Sequence, residues 1–391
     1  MGASTGIPRG VWMLGFVSLF MDVSSELIHS LLPVFMVVSL GATALMVGIV
    51  EGVAEATALI VRVFSGAISD WLGRRKGLTV LGYGLGAISK PLFALALTVH
   101  WVFVARFMDR IGKGIRGAPR DALIADLTAL QIRGAAYGLR QSLDTVGAFV
   151  GPLLAIGLMV LWAGDFRAVF WFAVIPAVLS VLILLFGVPE PRSETARVRP
   201  TSPVRWRSLG EFGSAYWWVV AAGGVFTLAR FSEAFLILRA QQLGLAASFA
   251  PLVLVIMNVV YAAAAYPAGR LADRMSHNNL LAGGLAVLVL ADIVLAQAQG
   301  LAAVGVGVAL WGLHMGMTQG LLAAMVAGAA PAHLRGTAFG LFNLVSGVAM
   351  LIASVLAGLL WDELGAAVTF YAGAVFSVLA LLILRRSPGV S

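Results

Sequence analysis

Arg133-Gly-Ala-Ala-Tyr-Gly-Leu139 returns as Arg335-Gly-Thr-Ala-Phe-Gly-Leu341, so residue 133 finds its counterpart 202 positions later, at 335. A second pair keeps nearly the same register: Gly66-Ala-Ile-Ser-Asp70 and Gly269-Arg-Leu-Ala-Asp273 lie 203 residues apart. Repetition at this distance in an apolar chain implies two related helical bundles. Paired bundles around a central path are how carriers are built.

The composition leaves a narrow class. Of the 391 residues 60% are hydrophobic and only 11% charged, whereas soluble domains carry about 25% charged residues. An integral membrane protein is implied. The 45 glycines suit close approach of helices in lipid. With no cysteine, disulfides, thiolate metal sites and thiol catalysis are excluded. The net charge of +8 would suit nucleic acid, but the basic residues gather in short loops beside apolar runs, which points to membrane orientation instead. Residues 1–10 are short and polar, and the first apolar run has the character of a span, not of a cleavable leader.

A span needs roughly 20 apolar residues. Twelve are expected, at 12–39, 45–71, 77–98, 101–127, 134–162, 166–187, 215–242, 249–271, 279–298, 301–327, 335–361 and 366–385. The fold class is therefore all-α integral membrane, with twelve transmembrane helices in two pseudo-symmetric six-helix bundles. The bundles are expected at 1–187 and 214–391, joined by a linker loop at 188–213 that carries Arg192, Arg197, Arg199, Arg205 and Arg207. Arg9, Arg74, Arg75, Lys76, Arg133, Arg270, Arg274, Arg335, Arg385 and Arg386 fall on the same side as those five, and Arg167 is the main exception. The positive-inside bias puts both termini and the linker in the cytoplasm, with the chain a multi-pass protein of the cytoplasmic membrane. The runs are continuously apolar, which excludes an alternating β-barrel.

The loop between the second and third spans, Gly66-Ala-Ile-Ser-Asp70-Trp-Leu-Gly73-Arg74-Arg75-Lys76, resembles the signature loop of the major facilitator superfamily. Gly269-Arg270-Leu-Ala-Asp273-Arg274 echoes it between spans eight and nine. The resemblance covers the whole chain, and it implies a gating role for these loops. Asp70 is expected to cap a neighbouring helix and pair with nearby arginines, and Asp126 to partner Arg74. The bland alternative is a positive-inside loop without switching. In the fifth span Gly147-x-x-x-Gly151-Pro152 resembles the family's antiporter motif, with Ala155 and Ile156 where glycines are common; it leans toward export, against the alternative of an ordinary kink and tight packing.

Ionisable side chains inside spans are costly, so each is a functional candidate. The first span holds Asp22 and Glu26, one turn apart; the second Glu51, Glu55 and Arg62; the third Lys90; the fourth Arg106, Asp109, Arg110, Lys113, Arg116, Arg120 and Asp121; the fifth Arg140 and Asp144. The second half has Arg230, Glu233, Arg239, Asp292 and His314. In the resembled family spans 1, 4, 7 and 10 line the cavity. That implies Asp22, Glu26, Asp109, Arg110, Lys113, Arg116, Arg230, Glu233, His314 and Gln319 around one aqueous path. Arg110-x-x-Lys113-Gly114 resembles the family's proton-coupling motif, with Lys113 replacing the usual glutamine.

The mechanism expected is a proton accepted by Asp22 or Glu26, which weakens pairing with Arg110 or Lys113 as solute competes for the same charges. Structural ion pairs are the alternative, favoured for Glu51, Glu55, Arg62, Arg140 and Asp144. The mixed charges favour a small polar or ionic solute, moved by a proton-coupled carrier acting as a monomer without cofactor. His314, Met315, Met317, Met325 and Met21 hint at a metal or metal-chelate cargo, although neighbours on a helix point about 100° apart. A non-transporting membrane sensor is the reading from another class. An intramembrane enzyme is not expected, because the histidines at 29, 100, 277, 314 and 333 stand singly and Ser24-Ser25-Glu26 lacks a base.

Overall fold

The computed structural model describes residues 7–72, 75–190, 206–272, 274–318, 320–331 and 334–386. Among them there are helices and no strand. In chain order the spans are α1 (Arg9–His29, continued by Leu32–Val34 and a π-helical turn Phe35–Ser39), α2 (Ala44–Leu72), α3 (Arg75–Leu95), α4 (Val99–Leu127), α5 (Arg133–Leu161) and α6 (Phe166–Gly187). They continue as α7 in two pieces (Ser214–Ala229 and Ala234–Gln242), α8 (Leu252–Ala272), α9 (His277–Gln297), α10 in two pieces (Leu301–Thr318 and Leu321–Ala329), α11 (Arg335–Leu364) and α12 (Ala366–Arg386). Eleven of these are long and apolar enough to cross a membrane; α4 is missing from that set because its charged residues dilute its apolar surface.

Polar side chains fix several helix starts. Thr98 accepts from the Trp101 amide, Asp165 from the Arg167 and Ala168 amides, and Ser276 from the Asn279 amide, each answering donors the first turn leaves open. The repeat reappears in the helix limits: α3 and α9, which start at 75 and 277 and end at 95 and 297, share the 202-residue offset end for end. The continuous seventh and tenth spans read from sequence are each interrupted. Arg230–Glu233 separates the two parts of α7, and Gly320, in the left-handed region at φ +87°, starts the second part of α10.

By compactness the chain forms two units. The first comprises 1–29 and 60–202, and the second 30–59 and 203–391, so the boundary runs through α2. In the first unit α1 packs on α5 and α6, and α3 on α4, around Val11, Leu14, Val17, Met21, Tyr83 and Leu123. In the second, Tyr216, Leu281, Leu285, Met325, Leu334 and Ala338 share a core. The start of α2 belongs to this second unit for a local reason. A Cβ at Gly48 would overlap the Ser354 carbonyl oxygen of α11, and one at Gly358 would stand 2.6 Å from the Ala44 carbonyl oxygen. Backbones this close require glycine on both helices. Asp362 completes the contact by accepting from the Ala44 and Leu45 amides at 3.0 and 2.8 Å, a cap supplied by another helix. Phe186, Leu161 and Leu130 are 85, 72 and 73% exposed, an outer surface suited to lipid and not to water.

Candidate functional site

The first unit holds the denser charge cluster. Asp22 and Glu26 rise from α1 where α5 comes closest: a Cβ at Gly147 would lie 2.7 Å from the Leu19 carbonyl oxygen and 3.0 Å from Asp22 Cβ. A Cβ at Gly151, one turn on, would lie 2.9 Å from Glu26 Cβ. The Gly147-x-x-x-Gly151-Pro152 face is thus the bed on which the two carboxylate-bearing residues rest. Both carboxylates stay partly accessible, at 28 and 22%.

Each carboxylate has a cationic or titratable neighbour. Asp22 meets Arg116, Nη2 to Oδ1 at 4.0 Å, and Glu26 meets His29 at 3.4 Å. Arg110 leans on its neighbour Asp109, Nε to Oδ2 at 3.6 Å. Lys113 and Arg110 still act electrostatically on Glu26, and Lys113 on Asp22. Arg116 is buried, with its guanidinium 4.6 Å above the Tyr83 ring, a placement that offsets part of its desolvation. Gly82 and Gly112 make room for this: a Cβ at Gly82 would lie 2.7 Å from the Arg116 amide nitrogen and the Gly112 carbonyl oxygen.

Asp109 is buried, and its principal partner is Lys90 of α3, Nζ to Oδ1 at 2.8 Å; Lys90 also donates to Ser25 Oγ at 2.9 Å. One ammonium therefore ties α1, α3 and α4 together. Lys90 was missed as a site residue because selection by cavity-lining span discards the third span, and Ser25 because an uncharged hydroxyl on the first span carries no signal. For Lys90 the available signal was an ionisable residue inside an apolar run. Nearer the Arg133 end, Asp121 gathers Arg120 at 3.2 Å, Arg62 at 3.7 Å and Arg140 at 3.9 Å, while Arg140 also grips Asp144. This set links α2, α4 and α5.

In the gating loop Asp126 lies 2.8 Å from Arg75, which also donates to the Ala122 carbonyl oxygen; the expected pairing with Arg74 lies outside the described residues. A Cβ at Gly66 would stand 3.4 Å from Ala118 Cβ of α4. Gly73, Arg74, Asp273 and Gln319 lie outside the described residues, as does the side chain of Asp70, whose backbone is helical. Gly269 is open, with nothing within 4 Å of a Cβ there, and Arg274 is exposed in the following turn.

In the second unit the break in α7 presents Arg230 and Glu233 as partly buried groups. Arg230 sits 5.7 Å from the Phe226 ring centroid, and His314 stacks on that same ring at 5.5 Å. His314 is fully buried, and its Nδ1–H donates to the Gly284 carbonyl at 2.8 Å, which leaves Nε2 as the acceptor. Met317 lies against Gly283, Met325 belongs to the apolar core, and Met21 belongs to the first unit's core. Among the described residues no three of His, Asp and Glu stand together as a metal-holding group.

The profile described as Major Facilitator Superfamily matches residues 14–354 and 225–391. An uncharacterized MFS-type transporter of Methanocaldococcus jannaschii is 30% identical over 384 residues, covering 97% of this chain and 94% of its own length. The multidrug resistance protein MdtH of Photorhabdus laumondii is 29% identical over 188 residues, 48% of this chain and 46% of that protein. Among solved structures, a POT family transporter in complex with 5-aminolevulinic acid superposes with a TM-score of 0.80 at 16% identity, over 99% of this chain and 97% of the other. That likeness is one of fold.

Proposed function

The chain belongs to the major facilitator superfamily and is a membrane transporter, not an enzyme; from that premise we propose that it exports a small ionic solute in exchange for protons. The observation that carries this reading is the seating of Asp22 and Glu26 on the Gly147 and Gly151 face of α5. A proton on Asp22 removes the charge that draws Arg116. The same event alters a carboxylate packed in the α1–α5 seam, so protonation and helix packing are mechanically linked. Arg116, released, offers its guanidinium to an anionic group of the solute.

The cluster is biased toward anions. On α3 and α4 Lys90, Arg106, Arg110, Lys113 and Arg116 outnumber the acids Asp22, Glu26 and Asp109 of α1 and α4. An anionic or zwitterionic cargo follows from that balance. The relative named for multidrug resistance, though matched over about half its length, agrees with efflux as the direction. Both termini and residues 188–213 face the cytoplasm in this reading, and the monomer is the working form.

The test is flux in liposomes containing the purified chain, with an imposed pH gradient and a panel of organic and inorganic anions. Gradient-driven flux of the accepted anion is expected to fall to background in Asp22→Asn and in Glu26→Gln, with exchange in the absence of a gradient retained. Full gradient-driven activity in both variants rejects the coupling role.

A further inference from the structure

The repeat offset of 202 residues equates Lys90 with Asp292 and Asp109 with Trp311. The helices that carry them correspond too: α3 with α9, and the start of α4 at Val99 with that of α10 at Leu301. In the first unit the two positions are bridged by the 2.8 Å Lys90–Asp109 contact. In the second the same two places hold a carboxyl and an indole. Asp292 is 0% exposed and Trp311 1%. Neither Asp292 oxygen nor Trp311 Nε1 has a hydrogen-bond partner among the described residues. An aspartate side chain falls short of the distance a lysine spans, so the bridge made in one unit is left open in the other.

The walls of this place are apolar. A Cβ at Gly373 of α12 would stand 2.7 Å from Asp292 Oδ2 and 3.0 Å from Phe231 Cε1, so the absence of a side chain at 373 is what admits the carboxyl. Phe231 meets Trp311 at 5.5 Å and Phe370 at 5.6 Å between ring centroids.

The charged groups on the packed helices are few and engaged or remote: Arg230 and Glu233, on either side of Phe231 and Ser232 at the α7 break, act on each other. Arg239 spends its donors on the carbonyls of Leu295, Ala296 and Ala298 and on Gln242. His314 of α10 binds the Gly284 carbonyl, eight residues and about 12 Å along α9 from Asp292. On α12 the basic residues are Arg385 and Arg386, at least twelve residues or about 18 Å from Gly373. On α8 the charged residue is Arg270, and Leu321–Ala329 of α10 has none. A carboxylate there would be a bare charge in an apolar setting, which folding does not tolerate; the neutral acid is the form such a place accepts.

We propose that Asp292 is a proton-binding site of the second unit, an acid that is protonated at neutral pH because its buried, apolar setting offers its charged form no partner. Release is a simple dissociation: the carboxyl O–H bond breaks, its electron pair stays on the carboxylate, and the proton leaves to water. This site stands on its own geometry and does not depend on proton coupling at Asp22 or Glu26.

Infrared spectra of the full chain in lipid vesicles, recorded as a function of pH in water and in heavy water, read the site directly. The native chain is expected to show, at neutral pH, the carbonyl stretch of a protonated carboxylic acid that shifts on deuteration. Asp292→Asn should lose that band, and Asp22→Asn should keep it. No such band in the native chain, or an undiminished band in folded Asp292→Asn, overturns the proposal. If Asp292→Asn does not fold, Gly373→Ala is read instead: the added methyl should displace the band, and an unmoved band is equally fatal.

Discussion

Lys90 and Asp109 show how a single buried pair governs a unit. Both are nearly inaccessible, at 1 and 4% for the side chains, so their mutual attraction largely offsets desolvation and does not add a surplus. Removing one partner is then the damaging change. Lys90→Met is expected to destabilise the chain by about 3–5 kcal/mol, seen as a lowered melting temperature of the purified protein. Adding Asp109→Leu should recover much of the loss, because no carboxylate remains to be buried, with Arg110 at 3.6 Å from Asp109 keeping the recovery short of complete. A double variant no better than Lys90→Met would show that the pair is not the source of the cost. By contrast Arg62, 55% exposed, contributes a contact to Asp121 of the kind worth about 0–1 kcal/mol. Both lysine and arginine were visible in the sequence as charges in spans. What the sequence does not carry is which charge meets which, because the pairs join helices whose relative rotation no local pattern records; the meeting of Asp126 with Arg75 is one such pair.

At the scale of elements, seams of glycine decide which helices touch. The glycine face of α5 was legible, since Gly147 and Gly151 repeat at one-turn spacing on one helix; that α1 lies on it was not. The α2–α11 seam was not, because Gly48 and Gly358 lie about three hundred residues apart and neither stretch stands out alone. Gly147→Val and Gly151→Val are each expected to cost about 1–3 kcal/mol through overpacking against α1, and to impair transport by displacing Asp22 or Glu26. Gly157→Val serves as the internal comparison, since nothing lies within 4 Å of a Cβ there; its melting temperature should stay near native. Equal damage at 147, 151 and 157 would mean that helix propensity, not the seam, is responsible. At the other seam Asp362→Ala removes the cap on the Ala44 and Leu45 amides and should cost about 0.5–2 kcal/mol, whereas Asp362→Asn should retain most of it; equal loss in both variants would assign the effect to charge and not to capping.

For the whole molecule, the twelve-helix plan follows from two coarse signals, long apolar runs and a 202-residue repeat, and both are properties of many residues at once. The interruptions of α7 and α10 escaped because a hydropathy reading averages across Arg230–Glu233 and across Gly320, although a broken span with polar residues at the gap is a known form of carrier site. Orientation is a further whole-molecule property, and the cysteine-free chain makes it measurable. Thr201→Cys falls in the 188–213 linker and Gln299→Cys in the exposed turn between α9 and α10. Three spans, α7, α8 and α9, separate the two positions, so an odd number of crossings must put them on opposite sides. With the arginine-rich side in the cytoplasm, an impermeant maleimide applied to intact cells should label Gln299→Cys and reach Thr201→Cys only after permeabilisation. The reverse pattern inverts the orientation and, with it, the side from which Asp22 takes its proton. Labelling of both from outside would mean that one of the three helices does not cross, and the pairing of the two halves by repeat would fail with it.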